Sequence, residues 1–134
     1  MELKLELVPV PVSDVDRAKA FYTEKLGCRE DVDTQVGGVG RIVQLTPPGS
    51  ACSIVLGLDL PTLPPGSMQA LHLITPDIRG ARAELVERGV EIGDIQHMES
   101  GSWVTGAVDR PYESFAFFSD PDGNGWALQG VPPS

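Results

Sequence analysis

The chain has 134 residues, 41% of them hydrophobic and 22% charged, which suits one compact globular unit with a real core. Nineteen acidic against ten basic side chains give a net charge of −9. No basic stripe is present to neutralise phosphates, so nucleic acid is excluded as a partner.

No apolar run approaches the ~20 residues of a membrane span, and no membrane association is expected. The opening MELKLELVPVPV lacks the basic segment and continuous apolar stretch of a secretory signal, so a cytoplasmic protein is expected. Cys28 and Cys52 form no ligand or redox motif and read as semi-buried, reduced thiols.

In chain order, LKLELV alternates charged and apolar residues, with Pro9 and Pro11 just beyond, which suits an exposed or partner-facing edge strand. VPVPVSDVDRAKAFYTEKLG (8–27) then reads as a strand followed by a helix. Ser13 or Asp14 is placed to cap it, Val15, Ala18, Tyr22 and Leu26 recur at helical spacing, and Gly27 ends it. Strands are predicted at 28–36, 40–46 and 51–58, separated by GGVG (37–40) and TPPGS (46–50). GGVG is read as a hairpin turn, since no Lys-Ser/Thr pair and no helix follow it as a phosphate loop requires. The proline-rich DLPTLPPGS (59–67) reads as a linker.

The plan then repeats. LHLITPDIRGARAELVERG (71–89) runs from an alternating strand through Asp77 into a helix with Ile78, Ala81 and Leu85 on one face, and stops at Gly89. Further strands are predicted at 90–97, 112–119 and 125–130. MESGSWVTGAVDRP (98–111) reads as a long irregular loop carrying Trp103 and Arg110 between glycines. Asp120-Pro121-Asp122-Gly123-Asn124 reads as a tight reversal whose aspartates bond local backbone amides rather than forming an acid–base pair.

The expected architecture is α+β: two tandem βαβββ units, 1–58 and 68–134, joined by the linker 59–67. Neither is large enough to stand alone, so together they form one domain, a curved mixed sheet around a cleft with helices outside.

This arrangement resembles the vicinal oxygen chelate superfamily, which includes glyoxalase I, extradiol dioxygenases, fosfomycin-resistance enzymes and bleomycin-resistance proteins. PVSDVDRAKAFYTEKLG (11–27), PDIRGARAELVERGV (76–90) and FFSDPDGNGWALQ (117–129) carry the resemblance. The resemblance implies a metal held by His, Gln or Glu at four inward positions. Those positions fall here on Leu7, Ala70, Ala127 and the apolar run IVLGL (54–58), none of which offers a side-chain ligand atom. No cofactor is therefore expected.

A displaced divalent-metal site is the alternative, built from His72 and Gln129 with His97 or Glu113. Strand alternation puts His72 on the Ala70 face and Gln129 on the Ala127 face. His72 also reads as a polar group that bonds or protonates a ligand, or as a plain structural histidine; His97 reads as a surface residue. Trp103 is either a flat wall against a planar ligand or a pin holding its loop to the core or to a second subunit. Trp126 is assigned to the core, while the pairs Phe115/Phe117 and Ala116/Phe118 leave open which one is core.

The expectation is a small-molecule binding protein of the glyoxalase/bleomycin-resistance type, lacking the usual metal ligands. Leu7, Pro9, Ala70, His72, Trp103, Ala127 and Gln129 are its candidate ligand contacts, in an apolar pocket with few polar groups. The alternatives are a metal-dependent lyase, isomerase or dioxygenase using the displaced site, or a metal-free enzyme with His72 as acid or base. The resemblance further implies a homodimer.

Overall fold

A computed structural model describes residues 1–38, 40–57 and 63–132. Val39 of the GGVG turn, Leu58 at the end of the predicted strand 51–58, and residues 59–62 of the linker lie outside the described residues. The chain divides into two compact units, Met1–Met68 with Asp120–Asn124, and Gln69–Ser119 with Gly125–Ser134. Each carries helix and mixed sheet, the α+β class expected.

The first unit runs β1 (Leu7–Pro9), α1 (Val15–Ala20), a π-helical turn (Phe21–Lys25), β2 (Arg29–Val36), β3 (Gly40–Thr46) and β4 (Ser53–Leu56). Asp14 caps α1 by accepting from the Arg17 N–H at 3.1 Å. The wider turn closes through Leu26 N–H to Phe21 O at 3.1 Å, and Gly27 at φ 84° lets the Cys28 N–H reach back to Tyr22 O at 2.8 Å. Of the predicted stripe, Ala18, Tyr22 and Leu26 are buried and Val15 is half-buried.

The sheet order is β1-β4-β3-β2, with β1 parallel to β4 and the other pairs antiparallel. Its edge strand β2 is exposed throughout and rich in charge, which blunts it against stray pairing. Strand structure begins only at Leu7; the preceding LKLE is not a strand, and Leu3 and Leu5 are exposed.

In the turn Asp120–Asn124 both oxygens of the Asp120 carboxylate are taken up by structural bonds. Asp120 Oδ1 accepts from the N–H groups of Asp122 and Asn124, both at 2.9 Å. Its Oδ2 accepts from Asn124 Nδ2 at 2.8 Å and from the Tyr22 hydroxyl at 2.7 Å. Asn124 also donates to Pro11 O at 2.9 Å and accepts from Met68 N–H at 3.0 Å. Asp122 Oδ1 accepts from the backbone N–H and hydroxyl of Ser13.

The second unit runs β5 (Leu71–Thr75), α2 (Ile78–Glu87), β6 (Gln96–Glu99), β7 (Ser102–Thr105), β8 (Phe115–Ser119) and β9 (Gly125–Gly130). Its order, β5-β9-β8-β6-β7, repeats the first sheet and adds β7 at the edge. Two expectations are corrected here. Residues 90–95 are not strand: the Arg82 guanidinium takes the carbonyls of Gly93 (2.7 Å) and Ile92 (3.3 Å), and a single backbone bond, Gly93 N–H to Phe117 O at 3.0 Å, ties the segment to β8. The supposed loop 98–111 begins as a hairpin, with Ser100 and Gly101 at φ 50° and 83° forming its turn.

Candidate functional site: the exposed face of the second sheet

Alternation along β8 settles the pairing that the sequence left open. Ala116 and Phe118 are buried, and Phe118 stacks on buried Trp126 at 6.2 Å. Phe115 and Phe117 therefore take the opposite face. Strand register carries that face across the sheet: His72, Ala127 and Phe117 stand in one row, and Ile74, Gln129, Phe115 and Gln96 in the next. Met98 and Trp103 pair beyond them on the β6–β7 hairpin.

The surface is apolar and open. Ile74 is 64% exposed, Trp103 48%, Met98 43% and Phe117 41%. Soluble proteins seldom leave such residues grouped without use. The rings are ordered by one another: Phe115 and Phe117 stack at 6.0 Å with planes 1° apart, and Trp103 stands edge-on to both at 5.7 and 5.6 Å. Pairs of this geometry contribute ~0.5–1.5 kcal/mol each, enough to hold flat walls in place before a ligand arrives. His72 adds a fourth ring, perpendicular to Phe115 at 6.2 Å.

Polar side chains also lie on this face: Gln96 opposite Phe115, and His72 and Gln129, each of which is tied to a backbone carbonyl. His72 Nδ1 is 2.7 Å from Ala70 O, and Gln129 Nε2 donates to Tyr112 O at 2.9 Å. Ala70 and Tyr112 are both in the left-handed region, at φ 61° and 65°. That conformation is strained for residues with a side chain. Ala70 precedes β5 rather than belonging to it, so strand alternation does not extend back to it and its expected place on the His72 face is corrected.

The other displaced-metal candidates lie elsewhere. His97 is buried, not at the surface, because alternation along β6 turns it away from Gln96 and Met98. Its Nδ1 lies 2.7 Å from Gly106 O, and its Nε2 3.3 Å from Glu99 Oε1. Glu113 pairs with Arg110 at 3.1 Å, and Arg110 reaches Glu99 at 2.5 Å. This chain lowers the Glu99 carboxyl and raises Arg110, in each case chiefly through their shared hydrogen bond. It also clamps Arg110, which the sequence had placed on a hinged loop. Among the described residues, no group of three or more His, Cys, Asp or Glu side chains is placed to hold a metal ion.

In the first unit, Leu7 and Pro9 share a face with Ser53 and Val55 of β4. There the Thr46 hydroxyl donates to Asp31 and lies 2.7 Å from the Ser53 hydroxyl. The Asp31 carboxyl is lowered by Thr46 first and Arg29 second. These contacts lie within that unit and supply no cation-binding set.

Sequence reasoning missed Met98, Phe115, Phe117 and the strand under Trp103. The signal was available: QHME and SWVT alternate on either side of Ser100-Gly101, a hairpin pattern. No helix among the described residues is long and apolar enough to cross a membrane.

Comparison with known proteins agrees with this architecture. No curated protein sequence matches the chain. Among solved structures it is similar to TnmS3, an antibiotic binding protein from Streptomyces sp. CB03234, at 38% identity over 97% of each chain and a TM-score of 0.78. A glyoxalase/bleomycin resistance protein from the same organism is 40% identical, over 94% of this chain and 99% of that one, with a TM-score of 0.73. A superfamily member from Sphaerobacter thermophilus is 31% identical over 96% and 98%, with a TM-score of 0.74. The family's sequence signature matches residues 4–128, and the chain belongs to the Glyoxalase/Bleomycin resistance protein/Dioxygenase superfamily.

Proposed function

We propose that this protein binds a small, planar, largely apolar organic molecule on the exposed aromatic face of its second sheet, without a metal ion and without altering it chemically. The observation that carries the reading is the group of Trp103, Phe115 and Phe117, packed ring against ring with Trp103 and Phe117 exposed to solvent. His72, Trp103 and Gln129 are its contacts; Ala127, in the same row as His72, is only 1% exposed and offers no surface of its own. The similarity to TnmS3, described as an antibiotic binding protein, supports a ligand of antibiotic type.

The test is titration with a panel of aromatic antibiotics, read by quenching of exposed Trp103, with recovery of the ligand by mass spectrometry. Saturable binding of at least one compound, recovered unchanged and weakened tenfold or more by Trp103→Ala, is expected. Turnover of the bound compound, or binding indifferent to Trp103, refutes the reading. Protein purified without chelators is expected to hold well below one first-row metal atom per chain; a stoichiometric metal returns the displaced site to the front, with His72→Ala as its first test. A homodimer is proposed on family grounds, and light scattering that gives the monomer mass at high concentration refutes it.

A further inference from the structure

Two of the polar groups on the aromatic face, His72 and Gln129, have had their hydrogen-bonding sense fixed by the backbone; Gln96, at the far end of the Phe115 row, has not. A carbonyl oxygen only accepts, so the proton of neutral His72 resides on Nδ1, facing Ala70 O. Its Nε2 is then a bare acceptor, and no hydrogen bond from a described residue reaches it. Gln129 likewise turns its amide nitrogen to Tyr112 O, which leaves the carboxamide oxygen as an acceptor. Tyr112 and Ala70, whose carbonyls impose this, hold left-handed backbone conformations that their residue types disfavour. Apart from Ser100 in the hairpin turn, no other described non-glycine residue has positive φ.

We infer that this face selects ligands with hydrogen-bond donors, phenolic O–H or amine N–H, on the edge of an aromatic ring system, and disfavours counterparts whose donors are methylated. The inference rests on the reading of the face as a binding surface and gives that reading a chemical class. A donor-bearing edge pairs with His72 Nε2 while the ring lies against Trp103, Phe115 and Phe117. A methylated edge leaves the acceptor unpaired under an apolar group, and an unmade hydrogen bond weighs more than its net gain when made.

The experiment compares β-naphthol with its methyl ether against wild type, His72→Phe and His72→Asn, following the Trp103 indole N–H in nitrogen–proton correlation spectra. The ether is the more apolar probe, so burial alone ranks it first. Wild type is expected to reverse that order, binding naphthol about fivefold more tightly, the effect of one hydrogen bond at a partly exposed site. His72→Phe keeps a ring without an acceptor; His72→Asn keeps a donor for Ala70 O without an acceptor at the Nε2 position. Both are expected to lose the preference. If both probes shift Trp103 and wild type prefers the ether, the donor rule is overturned while the binding surface stands; if the variants keep the naphthol preference, the assignment of His72 as its acceptor is overturned. If neither probe shifts Trp103, the binding surface falls and the rule with it.

Discussion

Tyr22 and Asp120 lie 98 residues apart in sequence and meet at 2.7 Å with both side chains buried. Tyr22→Phe removes the donating hydroxyl and leaves the ring in place, so the perturbation is one hydrogen bond to a carboxylate with no packing change. Bonds to charged groups contribute ~1.5–3 kcal/mol. Asp120 Oδ2 keeps Asn124 Nδ2 at 2.8 Å and is not orphaned, which places the loss at the lower end, ~1.5–2 kcal/mol. For a chain of this size that is a fall in Tm of ~5–7 °C. Asp120→Ala is harsher: four donors, the Tyr22 hydroxyl, Asn124 Nδ2 and the N–H groups of Asp122 and Asn124, lose their acceptor together. A loss above ~4 kcal/mol is expected there. Urea unfolding followed by circular dichroism, with thermal melts alongside, measures both. In the Asp120→Ala background, Tyr22→Phe is expected to shift stability by less than ~0.5 kcal/mol, since its partner is gone. A Tyr22→Phe protein that melts within ~1 °C of wild type, or two variants whose losses simply add, refutes the reasoning.

Burial pushes the Cys28 thiol up from 9.0 to about 12. Ellman's reagent at mildly alkaline pH is expected to titrate Cys52 fast and Cys28 only on unfolding. Because the folded value is raised, the neutral thiol's contribution to stability is complete below the ordinary thiol range and declines as pH rises towards about 12, so Cys28→Ala flattens that alkaline loss in urea melts. Asp33 is held well below the usual carboxylate range by Arg41 first and Lys19 second. Its stabilisation is therefore present above that range and lost as pH falls through its folded value, and Asp33→Asn is expected to weaken the fold at neutral pH but not in strong acid. Gly66, at φ 79°, has no room for a Cβ against the Asp122 carbonyl, so Gly66→Ala is expected to lose over ~2 kcal/mol by urea unfolding. Gly37, with open space around it, serves as the neutral control.

Much of the fold was written locally. Asp14 and Asp77 announce helix starts and Gly27 and Gly89 helix ends because capping and left-handed termination depend on a few neighbouring atoms. The Asp120–Asn124 reversal was legible for the same reason, though its bonds to Tyr22, Pro11 and Met68 were not. Misreadings arose where a distant group intervened. Residues 90–95 look like strand until the Arg82 guanidinium is seen on their carbonyls. His97 looks superficial until β6 is known to turn it inward.

The amino-acid sequence by itself determined the repeat and most of the helices, strands and turns. Each of these depends on residue identity and short spacing. Only the tertiary structure decided that Phe115 and Phe117 rather than Ala116 and Phe118 face outward, and that Trp103 stands edge-on to them. It alone turned His72 and Gln129 into acceptors, through the carbonyls of Ala70 and Tyr112. Alternation fixes which residues share a face, but which face packs on the helix depends on contacts between elements far apart in the chain.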